Sequence, residues 1–510
     1  MGERVHKSIL NAEVNILFYF LSLFLAFFSR KIFLECLGAE FIGLTGTLDN
    51  ILGYLNLAEL GIGSCISFFL FKPLQANNRQ EIQEILSVFG YLYRWIGTII
   101  WGGAMIISLF FPLIFENTDL GLGIIYFSFY SFLGSSLIGY FINYRQILLS
   151  ADQKNYLVAI YFQSATIIRT ALQIFLALKF KNLYVWVFIE FLFGVFGCVI
   201  LNWKINKEYP WLKTDKSKGR QLLKKYPGIL TNTRQIFIHS IKDFLMGRSD
   251  ELFIFMFVSL KMVAYYGNYI IIISKVSLLF KSVLDSVGAG VGNLIAEGNI
   301  SNTMKVFWEL TTIRHFVAGF LCYAIFSFIE PFITLWLGSE YILDNNILIL
   351  LVIFIYINNS RGVVDIFNHA HGLYADIWAA WTELFINVIG TLIGGYYWGI
   401  AGILLGKNLS LILIILLWKP IYLFHSGFKL PASIYWKGAS KNYLISIISF
   451  FVATYLTRQS TILPYEGYMN WILYCTLGTL LYLFVNLPLL YFFANGSRDC
   501  LYRIKNIRRK

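Results

Sequence analysis

The residues that could do chemistry in this chain are charges set inside apolar runs. The cations are Arg94, Arg169, Lys242, Arg248, Lys275, Lys281, Arg314, Arg361 and Lys407, with Arg30 and Lys31 near the end of the first run; the acids are Asp49, Glu59, Glu190, Asp243, Asp250, Glu251, Asp285, Glu309, Asp365 and Glu383. In hydrocarbon each such group costs roughly 2.5–3.5 kcal/mol at mid-depth, so it must face water or a partner. A cavity of mixed charge with surplus cations suits a phosphate or pyrophosphate group, and Arg adds a bidentate fork. Arg248, Lys275 and Arg361 lead as ligands for such a group, with Lys242 and Arg30 behind them. Asp49, Glu59, Asp243 and Asp250 are expected to orient those cations or bind a coupling ion, H+ or Na+. Asn15, Asn56, Asp365 and His369 complete the expected lining. Local pairing competes with this reading, since Lys281 and Asp285, and likewise Arg361 and Asp365, stand four residues apart. Arg145, near a helix end, can snorkel to the interface. Of His239, His315, His369 and His371, His369 is the best placed for a proton relay, although a lone intramembrane histidine usually serves packing.

The elements that must position these groups are helices. At 100° per residue, Asn11, Asn15, Ser22 and Ser29 of the first helix fall within an arc of ~40°. Asp49, Asn56 and Glu59 of the second span ~80°, and Asn268, Lys275, Ser282, Ser286 and Asn293 of the eighth ~40°. Asn232, Gln235, His239, Asp243 and Asp250 of the seventh share ~80°, as do Asn358, Arg361, Asp365 and His369 of the tenth. The first two helices of each half therefore carry a wet face.

Apolar residues make up 58% of the 510 residues and charged residues 14%, a balance that belongs to a bilayer and not to a soluble surface. Apolar runs of spanning length recur at 11–34, 42–71, 82–112, 121–148, 156–179, 183–205, 229–259, 263–294, 304–329, 345–370, 374–396, 400–424, 442–458 and 468–494. The first run leads straight into further spans and reads as a retained helix. The expected fold is an all-α polytopic membrane protein of about fourteen transmembrane helices: two pseudo-symmetric six-helix lobes at 1–206 and 228–425, joined by a basic linker at 207–227. Two extra helices at 426–496 and a basic tail at 497–510 follow. The seventh span is heavily charged, and a surface-lying helix is its alternative. Omitting it would put Glu340 and Asp344 inside and the basic tail outside, so the parity of charges favours a span. Gly61 and Gly63 late in the second helix have counterparts in Gly288 and Gly290 late in the eighth, consistent with a repeat whose substrate site lies between halves.

The net charge of +13 falls in tracts beside helix ends, which is the positive-inside pattern and argues against nucleic acid. It places both termini in the cytoplasm, and a multi-pass inner-membrane protein is expected. Six scattered cysteines suggest neither a disulfide framework nor a zinc site. The odd-numbered connections are short, leaving no room for an extracytoplasmic catalytic domain, and no Walker-type loop is present. A transporter is expected, not an enzyme.

Residues 41–45, 57–63 and 71–74, the stretch 148–154, and the region 361–406 with Asn368, His369, His371, Asn387 and Gly402 resemble bacterial polysaccharide repeat-unit flippases. These belong to the multidrug/oligosaccharidyl-lipid/polysaccharide exporter superfamily. The resemblance implies two lobes around a cavity lined by helices one, two, seven and eight, and no cofactor beyond a coupling ion. It implies an undecaprenyl-pyrophosphate-linked oligosaccharide as substrate, moved from the cytoplasmic to the outer leaflet by alternating access for O-antigen, capsule or exopolysaccharide assembly. Polysaccharide polymerase and assembly proteins would be its partners. A lipid II flippase or a drug/cation antiporter of the same superfamily are the alternatives; surplus Lys and Arg weigh against the antiporter.

Overall fold

The computed structural model describes residues 2–59, 62–285, 291, 292, 294, 295, 297–373, 376–499 and 502. Among these residues the chain is helical throughout, without strands, and forms fourteen successive rods. They are α1 (Gly2–Leu37), α2 (Ala39–Leu55, then Ile62–Gln75), α3 (Arg79–Ser108), α4 (Leu122–Ala151), α5 (Asn155–Phe180), α6 (Leu183–Glu208) and α7 (Gly228–Phe257). Then follow α8 (Leu260–Asp285), α9 (Ile300–Trp336), α10 (Asn345–Ala370), α11 and α12 (377–398 and 400–428), α13 (Ala432–Arg458) and α14 (Tyr468–Phe493). Nine described segments are long and apolar enough to cross a bilayer on those grounds alone, one of them the folded-back pair α11–α12. The chain is an all-α polytopic membrane protein, as its composition requires, because a helix satisfies its own backbone where no water is available.

Short polar signals punctuate the apolar runs. Asn78, Asn182 and Asn299 cap α3, α6 and α9, their side chains accepting from the backbone amides of Glu81, Val185 and Asn302. Between α11 and α12 the chain reverses at Gly399, whose φ of 56° only glycine adopts without strain. The two arms then cross backbone to backbone: a Cβ at Gly402 would lie 1.8 Å from the Gly394 carbonyl oxygen, and one at Gly406 2.3 Å from the Gly390 carbonyl carbon.

Contacts divide the chain into two compact units, Met1–Ala264 and Tyr265–Lys510. The division falls after α7 and not within the linker at 207–227. The reason is that the strongly charged α7 packs along both pieces of α2. There Asn50 donates to Glu251 at 2.6 Å, and the Cys65 thiol donates to the Ile229 carbonyl at 3.3 Å. The linker is docked on α3. Gln83 donates to the Trp211 carbonyl at 2.6 Å, the Asp215 amide donates to Ser87 Oγ at 3.0 Å, and Gly219 sits against the Tyr91 ring. Lys225 and Tyr226 both close on Glu84, at 2.5 and 2.7 Å.

Candidate functional site

In the first unit the polar residues of the interior converge on two cavities. One, of about 310 Å³, is lined by Glu59, Tyr93, Tyr140, Asn143 and Gln146, with Gly63 and Ser136 among its walls. It exists because α2 is interrupted: Asn56–Glu59 forms a 3-10 turn, which alters the helical advance and turns Glu59 toward α3 and α4. Tyr93 donates to one Glu59 oxygen and Tyr140 to the other at 2.5 Å, so a carboxylate is held between two phenols. Among the described residues Glu59 has no basic partner within ion-pair distance. Asn143, 1% exposed, leaves both its amide oxygen and nitrogen without a hydrogen-bond partner, and Gln146 Oε1 and Asn56 Oδ1 are likewise unmet. Buried amides in that state need water or a bound ion. Oxygen donors around one carboxylate form a chamber that can hold a small monovalent cation or carry a proton.

The second cavity, of about 460 Å³, is lined by Asp49, Arg169, Gln173, Glu190, Thr45 and Ser29 among others. Arg169 on α5 pairs with Glu190 on α6, and Gln173 donates to the second Glu190 oxygen at 3.0 Å. The pair joins neighbouring helices and satisfies both charges inside the unit.

The second unit is different. Its large cavity, about 480 Å³, lies between α9, α10, α12 and α13 and is walled by Phe326, Ile349, Ile353, Leu416, Ile447 and Phe451 with other apolar side chains. Tyr356, Tyr443 and Ser446 are its polar members. Behind them His315 is buried and bonded through Nδ1 to the Tyr356 hydroxyl at 2.8 Å, its ring meeting that of Tyr443 edge-on.

The residues singled out in the sequence fall into several groups. Asp49 and Glu59 line different cavities, so the expected shared face of α2 is split by the 3-10 turn. Arg30 donates to the Ala264 carbonyl at 3.0 Å. Arg361 pairs with Asp365 at 3.1 Å, the local pairing that their spacing allowed, at the join between the two helical pieces of α10. His369 is exposed near the end of α10, and Lys275 and Asp250 are half-buried. The side chains of Asn15, Lys242, Asp243 and Arg248, of Asn11, Asn232, Gln235 and His239, and of Ser282 and Asp285, lie outside the described residues. So do Gly61, Ser286, Gly288, Gly290 and Asn293 as a whole.

Tyr93, Tyr140, Asn143 and Gln146 carried no signal in the sequence. Among 32 tyrosines, two that bind a carboxylate look like the rest. Only the packing of α2, α3 and α4 selects them.

No protein-family model matches the chain, and no curated protein matches it by sequence. Among solved structures it is similar to the lipid II flippase MurJ in an inward closed conformation, with a TM-score of 0.67 at 17% identity over 95% of this chain and 99% of that one. It is also similar to an inward-facing multidrug resistance transporter of the MATE family, within the MOP superfamily, with a TM-score of 0.58 at 14% identity over 82% of this chain and 98% of that one. At these identities the shared property is the fold: this chain has the multi-helix membrane fold found in MurJ and in the MATE transporters.

Proposed function

We propose that this chain is a flippase that carries an undecaprenyl-pyrophosphate-linked oligosaccharide repeat unit from the cytoplasmic to the outer leaflet of a bacterial inner membrane. The observation that carries the reading is the likeness of fold along 95% of the chain to a protein described as a lipid II flippase. The MATE structure matches less of the chain, 82%. The excess of 41 Lys and Arg over 28 Asp and Glu suits an anionic cargo better than a cationic drug. In this reading Lys275 and Arg248 attract the pyrophosphate, with Arg361, Lys242 and Arg30 assisting. The Glu59 chamber holds the coupling ion, and the apolar cavity between α9, α10, α12 and α13 accommodates part of an isoprenoid chain. Asp49, Asp243, Asp250, Asp365 and His369, with Asn15 and Asn56, tune the charges around the path. The protein acts as a transporter without catalysing bond chemistry, beside the polymerase and assembly proteins that would consume its product.

The test is deletion of the gene in its host, followed by analysis of surface glycan and of the sidedness of lipid-linked intermediates. Loss of surface glycan with repeat units trapped on the cytoplasmic face is expected. Normal glycan together with new sensitivity to cationic dyes would replace the reading with a drug antiporter. The MurJ likeness favours one second reading, a lipid II flippase. It predicts growth arrest with accumulated peptidoglycan precursor, and rescue by a known lipid II flippase.

A further inference from the structure

A separate cluster of charge lies on the first unit, outside both cavities, at the end that carries the linker. The stem of Lys216 lies over Gly90 of α3, where an added Cβ would meet Lys216 Cγ at 3.1 Å. Its ammonium donates to the Phe141 carbonyl at 2.7 Å and stands 4.5 Å over the Tyr144 ring. One turn along the same face of α3 comes Arg94, which is exposed, and the Phe141 ring rests on Gly97 beyond it. Arg145 reaches from α4 to α6, donating to Asn206 at 2.9 Å and to Asn202 at 2.5 Å.

Among the described residues none of these three cations has a carboxylate partner. The acids nearby are engaged elsewhere. Asp215 faces Ser217 and Lys218, and Glu84 is held by Lys225 and Tyr226. Asp152 and Glu208 bracket Lys154 at 2.8 and 3.0 Å, and Glu59 belongs to its phenols. Partial burial, and then repulsion from Arg145 and Arg94, hold the Lys216 ammonium below the usual lysine range. A bound anion would relieve that repulsion.

The surroundings say which kind of anion. Trp95, next to Arg94, and Trp203, next to Asn202, are 56% and 57% exposed, and Phe141 and Ile142 are also exposed. Tryptophan is enriched at headgroup level on helical membrane proteins, and the polar linker docked on α3 at Gln83, Ser87 and Tyr91 marks this end of the helix as that level. The cluster therefore combines phosphate-binding donors with apolar surface at the depth where lipid phosphates lie, and basic pockets between helices at this level are the ordinary receptors for anionic headgroups.

We propose that Arg94, Arg145 and Lys216 form a site for the phosphodiester of an anionic phospholipid in the leaflet that the linker faces, with its acyl chains against Trp95 and Phe141. The bound lipid ties the linker, through Lys216, to α3, α4 and α6. The site is independent of what the protein transports.

The experiment is native mass spectrometry of the purified full-length protein, titrated with dioleoyl-phosphatidylglycerol or with dioleoyl-phosphatidylcholine, with inorganic phosphate as competitor. Wild type should bind the first phosphatidylglycerol more tightly than phosphatidylcholine. Arg94→Gln and Lys216→Gln should each weaken that binding about fivefold, the ratio expected for one basic residue at an anionic surface. Lys216→Arg should retain it, and Lys213→Gln, an exposed linker lysine outside the cluster, should leave it unchanged. In nanodiscs, hydrogen exchange of residues 211–219 should slow with phosphatidylglycerol in wild type and not in Arg94→Gln, a substitution at an exposed side chain. Unchanged lipid binding in the Arg94→Gln/Lys216→Gln double variant would overturn the proposal. So would protection of the linker by inorganic phosphate alone in phosphatidylcholine discs, which would make the site one for a free anion.

Discussion

The interiors of the two units differ in kind. The first encloses two polar cavities, each built on a glutamate contributed by one helix and held by donors from others: Glu59 by Tyr93 and Tyr140, Glu190 by Arg169 and Gln173. The second encloses an apolar cavity whose few polar lining groups are Tyr356, Tyr443 and Ser446, with His315 bonded to Tyr356 behind them. A wet interior can carry ions and a dry one can accept hydrocarbon, so under the proposed function the two halves of the chain would take different parts of an amphiphilic cargo.

Breaking the charge at Glu59 should have the largest effect. Glu59→Gln keeps the shape and removes the anion, and it is expected to lower transport by at least about tenfold while leaving protein abundance and melting temperature near wild type. Full transport in this variant would reduce the chamber to packing. Tyr93→Phe/Tyr140→Phe should produce a smaller loss, because the carboxylate remains but loses its two donors.

Next in size is the backbone crossing of α11 and α12. Gly402→Leu has no room beside the Gly394 carbonyl and should prevent accumulation of folded protein, whereas Gly102→Ala, with nothing within 4 Å of its added carbon, should be silent. Accumulation in membranes, followed by size-exclusion profile, distinguishes these outcomes.

Arg169→Ala should destabilise the first unit by about 2 kcal/mol, less than the ~3–5 kcal/mol of a fully buried pair. The discount follows from side-chain exposures of 24% and 23% for Arg169 and Glu190. An Arg169→Leu/Glu190→Leu double variant should recover much of the loss in a thermal melt, and failure to recover would mean that the pair is needed for more than mutual neutralisation.

The smallest effect is expected in the dry half. Ile353→Trp fills part of the apolar cavity from its lipid-exposed rim. It should slow transport of a long-chain isoprenoid substrate by about threefold, leave a short-chain analogue untouched, and change the melting temperature little. Equal slowing of both substrates would remove the tail from this cavity.

What the sequence determined by itself was the class of fold and the number of rods. Hydrocarbon admits only structures that satisfy their own backbone, so apolar length and periodicity are enough to place fourteen helices, and even the reversal at Gly399 falls in the gap expected between 396 and 400. Local pairings four residues apart, such as Arg361 with Asp365, were also legible, because helical geometry fixes them without reference to the rest of the chain. Which polar groups meet across helices was decided by tertiary structure alone. The 3-10 turn at Asn56–Glu59 separates Glu59 from Asp49, although 100° steps place them on one face. Tyr93 and Tyr140 become donors to Glu59, and Asn143 joins the wall beside them, only when α2, α3 and α4 close around that turn. The linker reads as a solvated basic tract and is a docked strap, because the small surface of Gly90 and the groove beside Tyr91 that receive it belong to a different helix. Periodicity gives the direction of a side chain from its own axis; what stands opposite is set by packing, which no single helix encodes.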